Sequence, residues 1–400
     1  MALLPVDEAL RRILANAKLT SVETIKLDKS LGRVLAKSVF AKRDQPPFHA
    51  SAMDGYAVRQ QDISVIPADL QVSGTSAAGQ GYAGLVKPGT AVRILTGAPL
   101  PRGGDTIVIQ EDTTRALNSL RVMAATAAGK NIRARGLDFG KGDMLVKAPR
   151  ILGSRDIGLL AAGNAAEISV RRRPRVVMFT TGDELVLPGT RPRADQIISS
   201  NSHALQAMAS SFGAEVINLG IVRDNLKATM AAIRKGIGAD VLMTTGGASV
   251  GDHDYVQEAF KASGVKIDFW KIALRPGKPF MYGRKGRTHV IGLPGNPVSA
   301  LITARIFLKP LLNGMLGLLS DTPATLAKLA VALPANDSRQ DYMRATLDVA
   351  SDGTRLVRVF SAQDSSMQRT LQSSQALIIR PPHAPAAEIG DLVPIMLLDF

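Results

Sequence analysis

Between residues 174 and 315, short apolar runs alternate with amphipathic stretches, and few folds satisfy that alternation. Arg175–Thr181 is a run of the kind buried on both faces of a sheet, and it leads into Gly182-Asp183-Glu184. Asn201 or Ser202 is placed to cap a helix carrying Leu205, Met208 and Phe212, closed by Gly213. Val216–Val222 reads as a second strand, ending at Arg223-Asp224. A helix with Leu226, Met230, Ile233 and Ile237 on one face follows. Asp240–Thr245 reads as a third strand, ending at Gly246-Gly247, followed by a helix over about 254–263 and a strand over 266–270. Strand–helix alternation implies right-handed βαβ units. The expectation is a central three-layer α/β domain with a mostly parallel sheet.

The flanks differ. Val6, Leu10, Ile13, Leu14 and Ala17 fall at helical spacing over residues 6–17. Residues 24–145 are rich in Gly and Pro, with short β-prone runs such as 91–95 and 106–109. This predicts an inserted mainly β domain. The last 80 or so residues return to β character at Leu326–Leu333, Tyr342–Val349, Arg355–Phe360, Ala376–Arg380 and Leu392–Leu398, which fits a small C-terminal β-barrel-like domain. The expected division is a helical or linking domain from 1–23 plus 146–173, the β domain at 24–145, the α/β domain at 174–317 and the C-terminal β domain at 318–400. The linker is placed at Gly317–Pro323.

Composition removes several chemistries. There is no cysteine, so thiolate catalysis, disulfides and Cys-ligated zinc or iron–sulfur centres are excluded. The histidines (His49, His203, His253, His289, His383) show no local ligand spacing. Any metal is then expected to be a hard cation held by carboxylates and substrate oxygens, with Mg²⁺ the default. No signal peptide and no apolar span are apparent, so a cytoplasmic location and no membrane partner are expected. A net charge of +15 raises a nucleic-acid reading, but aromatics at 4% are too few for a stacking platform, and no nucleic-acid partner is expected. Two short basic clusters stand out, Arg171-Arg172-Arg173 with Arg175, and Arg284-Lys285 with Arg287. A solvated basic surface is the first reading of them, and a field steering a polyanionic small molecule the second.

In open α/β sheets ligands bind beyond the carboxyl ends of the strands. Four loops of the central region fall there. Thr180-Thr181-Gly182-Asp183-Glu184-Leu185 offers free N–H groups and carboxylates, or is a plain turn with a capping Asp. The loop 244–254 carries Gly246, Gly247, Ser249 and Gly251, then Asp252 and Asp254. It resembles a phosphate cradle in logic but lacks the P-loop ending. One of the two acids caps the next helix, which leaves the other for metal or substrate. Lys271, Arg275 and Lys278 flank a Pro-Gly turn and suit a phosphate or oxyanion, or else a solvated turn. Gly292–Ser299 holds Pro294 and Pro297, a stiff wall whose second proline suits a helix's first turn. The β domain adds Asp54 in Ser51–Ala57, Thr96 in Arg93–Ala98, and Asp138 in Arg135–Gly142, all explicable as turn residues alone.

Together these segments resemble the molybdopterin molybdenumtransferase family, which includes the E domain of gephyrin. SAMDGYAV, RILTGAPLP, TTGDEL, TTGGASVGDHDY, RPGKPF and GLPGNPVSA occur in order, and the resemblance covers essentially the whole chain. TTGDEL and the Gly-Gly loop also occur in pterin adenylyltransferase and competence-damage domains. MDGYA and the C-terminal β domain separate this chain from those. The resemblance implies an elongated homodimer of four-domain subunits, with each site in a cleft between the central domain of one subunit and the MDGYA-bearing domain of the other. It implies molybdopterin-AMP and molybdate as substrates, Mg²⁺ as cofactor, and the pterin adenylyltransferase, apo-molybdoenzymes or their chaperones as protein partners. Carried over by motif, the catalytic candidates are Asp54, Asp138, Glu184 and Asp254, with Asp54, Asp138 and Glu184 as metal candidates. The substrate-binding candidates are Thr96, Asp224, Gly246, Gly247, Ser249, Lys271, Arg275, Lys278, Pro294, Pro297 and Arg344.

This chain departs from relatives at three places, one of them Ser365-Ser366-Met367 with Thr370, which only roughly matches a Ser-rich segment of the family. Phe48-His49-Ala50-Ser51 stands where Phe-Asp-Asn-Ser is frequent, and Arg275 where some members have Lys. A molybdopterin adenylyltransferase-type enzyme and a non-catalytic scaffold of the same fold are the alternative functions.

Overall fold

The computed structural model describes residues 3–246, 255–318 and 325–400. Residues 1–22 with 171–400 form one compact unit, and residues 23–170 a second.

The first unit is built on a six-stranded sheet. Glu215–Val222, Arg175–Thr181, Val241–Thr245 and Thr288–Leu293 lie side by side in parallel. Met281–Lys285 pairs antiparallel with the last of these, and Lys266–Trp270 pairs antiparallel with Met281–Lys285 at the edge. The sheet is therefore mostly parallel. Both faces are buried, as the near-continuous apolar runs require. Val176, Met178, Val241 and Met243 point into a core with helix Asn201–Ser211 and the helical stretch 297–316. Val177, Phe179 and Leu242 point into the opposite core with helices Leu226–Gly236 and Tyr255–Ala262. That alternation makes the three layers.

Two expectations are corrected here. Helix Val6–Leu14 stops short of residue 17, because the Asn16 side-chain amide donates to the Arg12 carbonyl at 3.0 Å and takes up a last-turn acceptor. Its Val6, Ala9 and Ile13 join the central core. Asn201 and Ser202 lie inside the helix rather than at its cap. The Asn201 amide donates instead to the Gly295 carbonyl at 2.6 Å, tying that helix to a ligand-side loop.

The C-terminal strands Thr325–Leu329, Gln340–Val349, Arg355–Val359, Ala376–Arg380 and Leu392–Leu397 close on themselves, since Gln340–Val349 pairs with both Arg355–Val359 and Ala376–Arg380. Leu274–Arg275 adds to this barrel in parallel beside Gln340-Asp341. Residues 319–323 of the expected linker lie outside the described residues. Gly317 ends the preceding helix in the left-handed conformation, φ 77°.

The second unit carries a six-stranded mixed sheet in which Gly55–Val58 is next to the edge, between the edge strand Thr106–Ile109 and Thr90–Ile94. It also holds a small sheet of Val22–Lys26, Val34–Leu35, Arg150–Ile151 and Glu167–Arg171, whose core includes Leu35, Leu152, Leu160 and Val170.

At the amino-terminal edge of the central sheet, His289 is 2% exposed and hydrogen-bonds Tyr282 Oη through Nδ1 at 2.9 Å. Burial pushes its ring from 6.5 down to about 4, and the nearby Arg284 charge acts in the same direction. Below pH 6.5 the unfolded chain takes a proton that the native ring refuses. The stability held by the neutral ring is thus full above pH 6.5. It is lost as pH falls towards 4, by up to roughly 3 kcal/mol. Urea unfolding of the wild type and of His289→Gln between pH 7 and 4 checks this. The wild type should lose more stability across the window, and parallel curves would count against it.

Candidate functional site

The strand directions place the beginnings of all four ligand loops on one edge of the central sheet. Arg175–Thr181, Val241–Thr245 and Thr288–Leu293 run parallel, and Lys266–Trp270 shares their direction because two antiparallel steps separate it from Thr288–Leu293. A cleft of 610 Å³ lies over this edge. Its walls include Glu184, Asp224, Gly246, Arg275, Lys278 and Pro294. A second cleft of 390 Å³ shares Thr181, Glu184, Gly246, Gly295 and Asn296 with the first and continues to Thr180, Asn201 and Pro297. Both volumes fall in the range of small-molecule sites.

The floor depends on glycine. Gly246 has φ 88°, and a Cβ there would stand 2.3 Å from the Thr181 carbonyl oxygen. Gly277 has φ 120°, and its Cβ would meet Thr303 Cγ2 at 2.4 Å. Side chains at either place would push the Arg-Pro-Gly-Lys turn or the Gly-Gly loop out of the cleft. Thr245 Oγ1 donates to the Pro294 carbonyl at 2.9 Å and so fixes the proline wall. Among the described residues the hydroxyls of Thr180 and Thr181 and the Asn201 Oδ1 are buried with no hydrogen-bond partner. Each such group costs about 1–3 kcal/mol unless a ligand or water satisfies it, which fits a polar ligand in the second cleft.

Glu184 is exposed at the junction of the two clefts, and among the described residues its carboxylate has no recorded partner. Asp183 is used differently, since its Oδ1 accepts from the Asp224 N–H at 3.1 Å and links two loops. Lys278 is exposed on the cleft wall without a recorded partner. Arg275 is not free to match it. Its Nε and Nη2 donate to Asp341 Oδ2 at 2.8 and 2.5 Å, Nη1 donates to Asp337 at 3.1 Å, and Nη2 also reaches Asn336 at 3.1 Å. Those partners raise its already high pKa, Asp341 foremost. The guanidinium therefore docks the turn onto the C-terminal barrel. The Lys271 ammonium lies 5.0 Å over the Trp270 ring and is not on the cleft wall.

Arg344 is 1% exposed. It donates to Gln363 Oε1 through its backbone N at 2.9 Å and through Nε at 3.3 Å, and through Nη1 to the Met367 carbonyl at 3.2 Å, while Nη2 is buried without a hydrogen-bond partner. It supports the segment Gln363-Asp364-Ser365, which lines the cleft. Asn296 Nδ2 donates to Ser365 Oγ at 2.7 Å, so two loops close one wall. Arg339 also lines the cleft, bonded to Asp337 at 2.8 Å. Sequence reading missed it, because an arginine after Asp-Ser in a polar turn carries no pattern of its own. Gly247, Ser249 and Asp254 lie outside the described residues.

In the second unit, the MDGYA and RILTGAP segments meet. Tyr56 pairs with Arg93 across the sheet, and Asp54 Oδ1 accepts from both the N–H and Oγ1 of Thr96 at 2.7 Å. These bonds hold the Asp54 carboxyl below the usual carboxylate range, with the Arg93 charge adding to them. Asp138 is exposed. Its N–H donates to the Gln45 carbonyl at 2.9 Å, and its carboxylate has no recorded contact with Asp54. His49 is exposed as well, its Nδ1 accepting the Arg135 N–H at 3.4 Å.

Three family models align in order along the chain: the MoeA N-terminal region (domain I and II) over residues 4–163, the probable molybdopterin binding domain over 177–314, and the MoeA C-terminal region (domain IV) over 326–398. A molybdopterin molybdenumtransferase of Nostoc is 34% identical over 90% of this chain and 85% of that protein. The chain belongs to the molybdopterin molybdenumtransferase family. A family member from Haemophilus influenzae is 32% identical over 98% of both chains. The crystal structure of a molybdopterin biosynthesis MoeA protein from Pyrococcus horikoshii superposes with a TM-score of 0.84 at 27% identity, over 99% of both chains. Membership fixes the fold and makes the chain a transferase of molybdenum cofactor biosynthesis.

Proposed function

We propose that the two adjoining clefts hold one long substrate, and that the reaction runs where Glu184 separates them. The chain inserts molybdate into adenylylated molybdopterin and releases AMP, giving molybdenum cofactor. The observation that carries the residue assignment is the shared wall of the clefts, with an acid at the junction and a Lys on the wall of the larger cleft, both without partners among the described residues. Lys278, with Arg339 close by on the same wall, attracts molybdate. Arg275 and Arg344 keep the surrounding loops in place. The unsatisfied Thr180, Thr181 and Asn201 groups bind the polar end of the substrate.

Mg²⁺ dependence is part of this reading. Among the described residues no group of three or more His, Asp or Glu side chains is gathered for a metal. That donor set still suits magnesium, which is commonly held by one or two carboxylates and completed by substrate phosphate and water. Glu184, Asp54 and Asp138 are the acids that would hold it, and Asp254 lies outside the described residues. When bound, the cation would neutralise charge developing at the phosphoanhydride as the bond to AMP breaks. Water supplies the oxygen that stays on phosphorus, and the chain's part is to hold the substrate still and screen its charge.

A homodimer belongs to the same reading, with each working site taking Asp54 from one copy and Glu184 from the other. So does the four-part division of the subunit. The cytoplasmic location and the protein partners named above remain part of the proposal. Among the described residues no helix is long and apolar enough to cross a membrane.

Lys278→Gln tests the molybdate assignment. The exposed side chain can be changed without loss of thermal stability, and the molybdate concentration needed for half-maximal turnover should rise about tenfold or more as one charge-assisted contact is lost. An unchanged molybdate dependence would remove Lys278 from the site.

A further inference from the structure

The two basic clusters of the sequence, about 110 residues apart, come together in the fold. They meet in a 530 Å³ pocket at the amino-terminal edge of the central sheet, where Val241–Thr245 and Thr288–Leu293 begin. This is the edge opposite the candidate active site. Lys18, Arg172, Arg284, Lys285 and Arg287 line it, and among the described residues Asp240 is the one acid on its wall.

That acid is already used. Asp240 binds Arg172 through both oxygens, at 2.9 and 3.0 Å, and also accepts the Arg175 N–H at 2.7 Å. Among the described residues no ion pair engages Lys18, Arg284, Lys285 or Arg287. Arg284 donates to Asn16 Oδ1 and to the Gly286 carbonyl at 3.0 Å, and its Nε is buried without a partner. Lys285 donates to the Ser263 carbonyl at 2.5 Å. Lys18 and Arg287 are exposed at the mouth, with no partner among the described residues. Four like charges around one cavity repel each other unless an anion sits among them. The wall has no Phe, Tyr or Trp on which a base would stack, and its size suits a small ligand.

We propose that this pocket is a second anion site, taking a small phosphate-bearing molecule at the sheet edge opposite the candidate active site. Arg284 and Arg172 form its fixed floor, one through a half-buried guanidinium whose Nε is sealed from solvent and the other through its carboxylate clamp. Lys18 and Arg287 close over the phosphate from the rim.

Pyrophosphate is the probe. Its binding to the full-length chain is measured by calorimetry in a Lys278→Gln background, which weakens the active-site cleft. The same measurement is made after adding Lys18→Gln and Arg287→Gln. Both rim side chains are exposed and make no side-chain bond among the described residues, so the fold should stand, and unchanged thermal unfolding in ligand-free buffer verifies that. Pyrophosphate affinity should fall at least about tenfold on removing the rim pair, since two charge-assisted contacts are lost. Equal affinity with and without the rim pair, or no binding in the Lys278→Gln background, would overturn the site. A mixed-sequence oligonucleotide bound more tightly than pyrophosphate through the same residues would overturn its small-molecule character. None of these outcomes depends on the roles given to Asp54 or Glu184.

Discussion

Asp54→Ala and Glu184→Ala should each fold with near wild-type stability and lose AMP release by about 100-fold or more, the size expected when a charge-stabilising group is removed from a reacting phosphate. Retained stability is expected because neither carboxylate is part of a core. Glu184 is exposed with no recorded partner. Asp54 gives up two hydrogen bonds to Thr96, on an exposed turn of its sheet. The two variants should differ in detail. Glu184→Asn keeps polarity at the junction of the clefts but loses the charge, and should be nearly as inactive as Glu184→Ala. Thr96→Val should lower activity less, because Thr96 only orients Asp54 and its backbone N–H remains. AMP release measured with thermal unfolding on the same samples separates these effects. An active Glu184→Ala enzyme would remove the acid from the mechanism.

The second large effect concerns the shared site. Separately purified Asp54→Ala and Glu184→Ala chains are each expected to be inactive, yet mixing them under conditions that allow subunit exchange should restore activity. If each site draws one acid from each copy, a mixed dimer has one site with both acids and one with neither. Random exchange then gives about a quarter of wild-type activity. A site built within a single chain restores nothing, however long the mixture stands. Size-exclusion chromatography of the mixture should show the dimer throughout.

Much of the fold was legible because its signals are local. The runs Arg175–Thr181 and Asp240–Thr245 could only be buried strands, and their ends located the ligand edge without knowledge of the helices. The C-terminal strands were found for the same reason, since Gly and Pro mark their turns: four lie within two residues of the reading, while the first, read to Leu333, ends at Leu329. The hairpin of Met281–Lys285 and Thr288–Leu293 went unread. Its turn is a basic run, Arg284–Arg287, closed by Gly286 at φ 59°, and charge there drew attention away from strand pairing. Asn201 illustrates a second limit. A helix-start residue looks like a cap in sequence, but its amide is claimed by Gly295 on a loop 94 residues away.

The site divides along the same line. Glycine turns and exposed acids could be listed from motifs, whereas the pairing state of each cation could not. Arg275 and Lys278 look equivalent in Arg-Pro-Gly-Lys, yet Asp337 and Asp341, more than sixty residues on, engage the first and leave the second free. Lys271, in the same segment, stacks over its neighbour Trp270. Arg339 entered the cleft without a motif. Pairings at such separations follow from the closed barrel docking on the sheet, which no local pattern encodes.

The most direct measurement follows AMP release from molybdopterin-AMP by the purified chain, with Mg²⁺ and with or without molybdate, alongside activation of an apo-molybdoenzyme. Molybdate-dependent AMP release that matches activation of the apo-enzyme is the expected result. AMP formation without activation, or consumption of ATP with unadenylylated molybdopterin in its place, would contradict a molybdenum-inserting site.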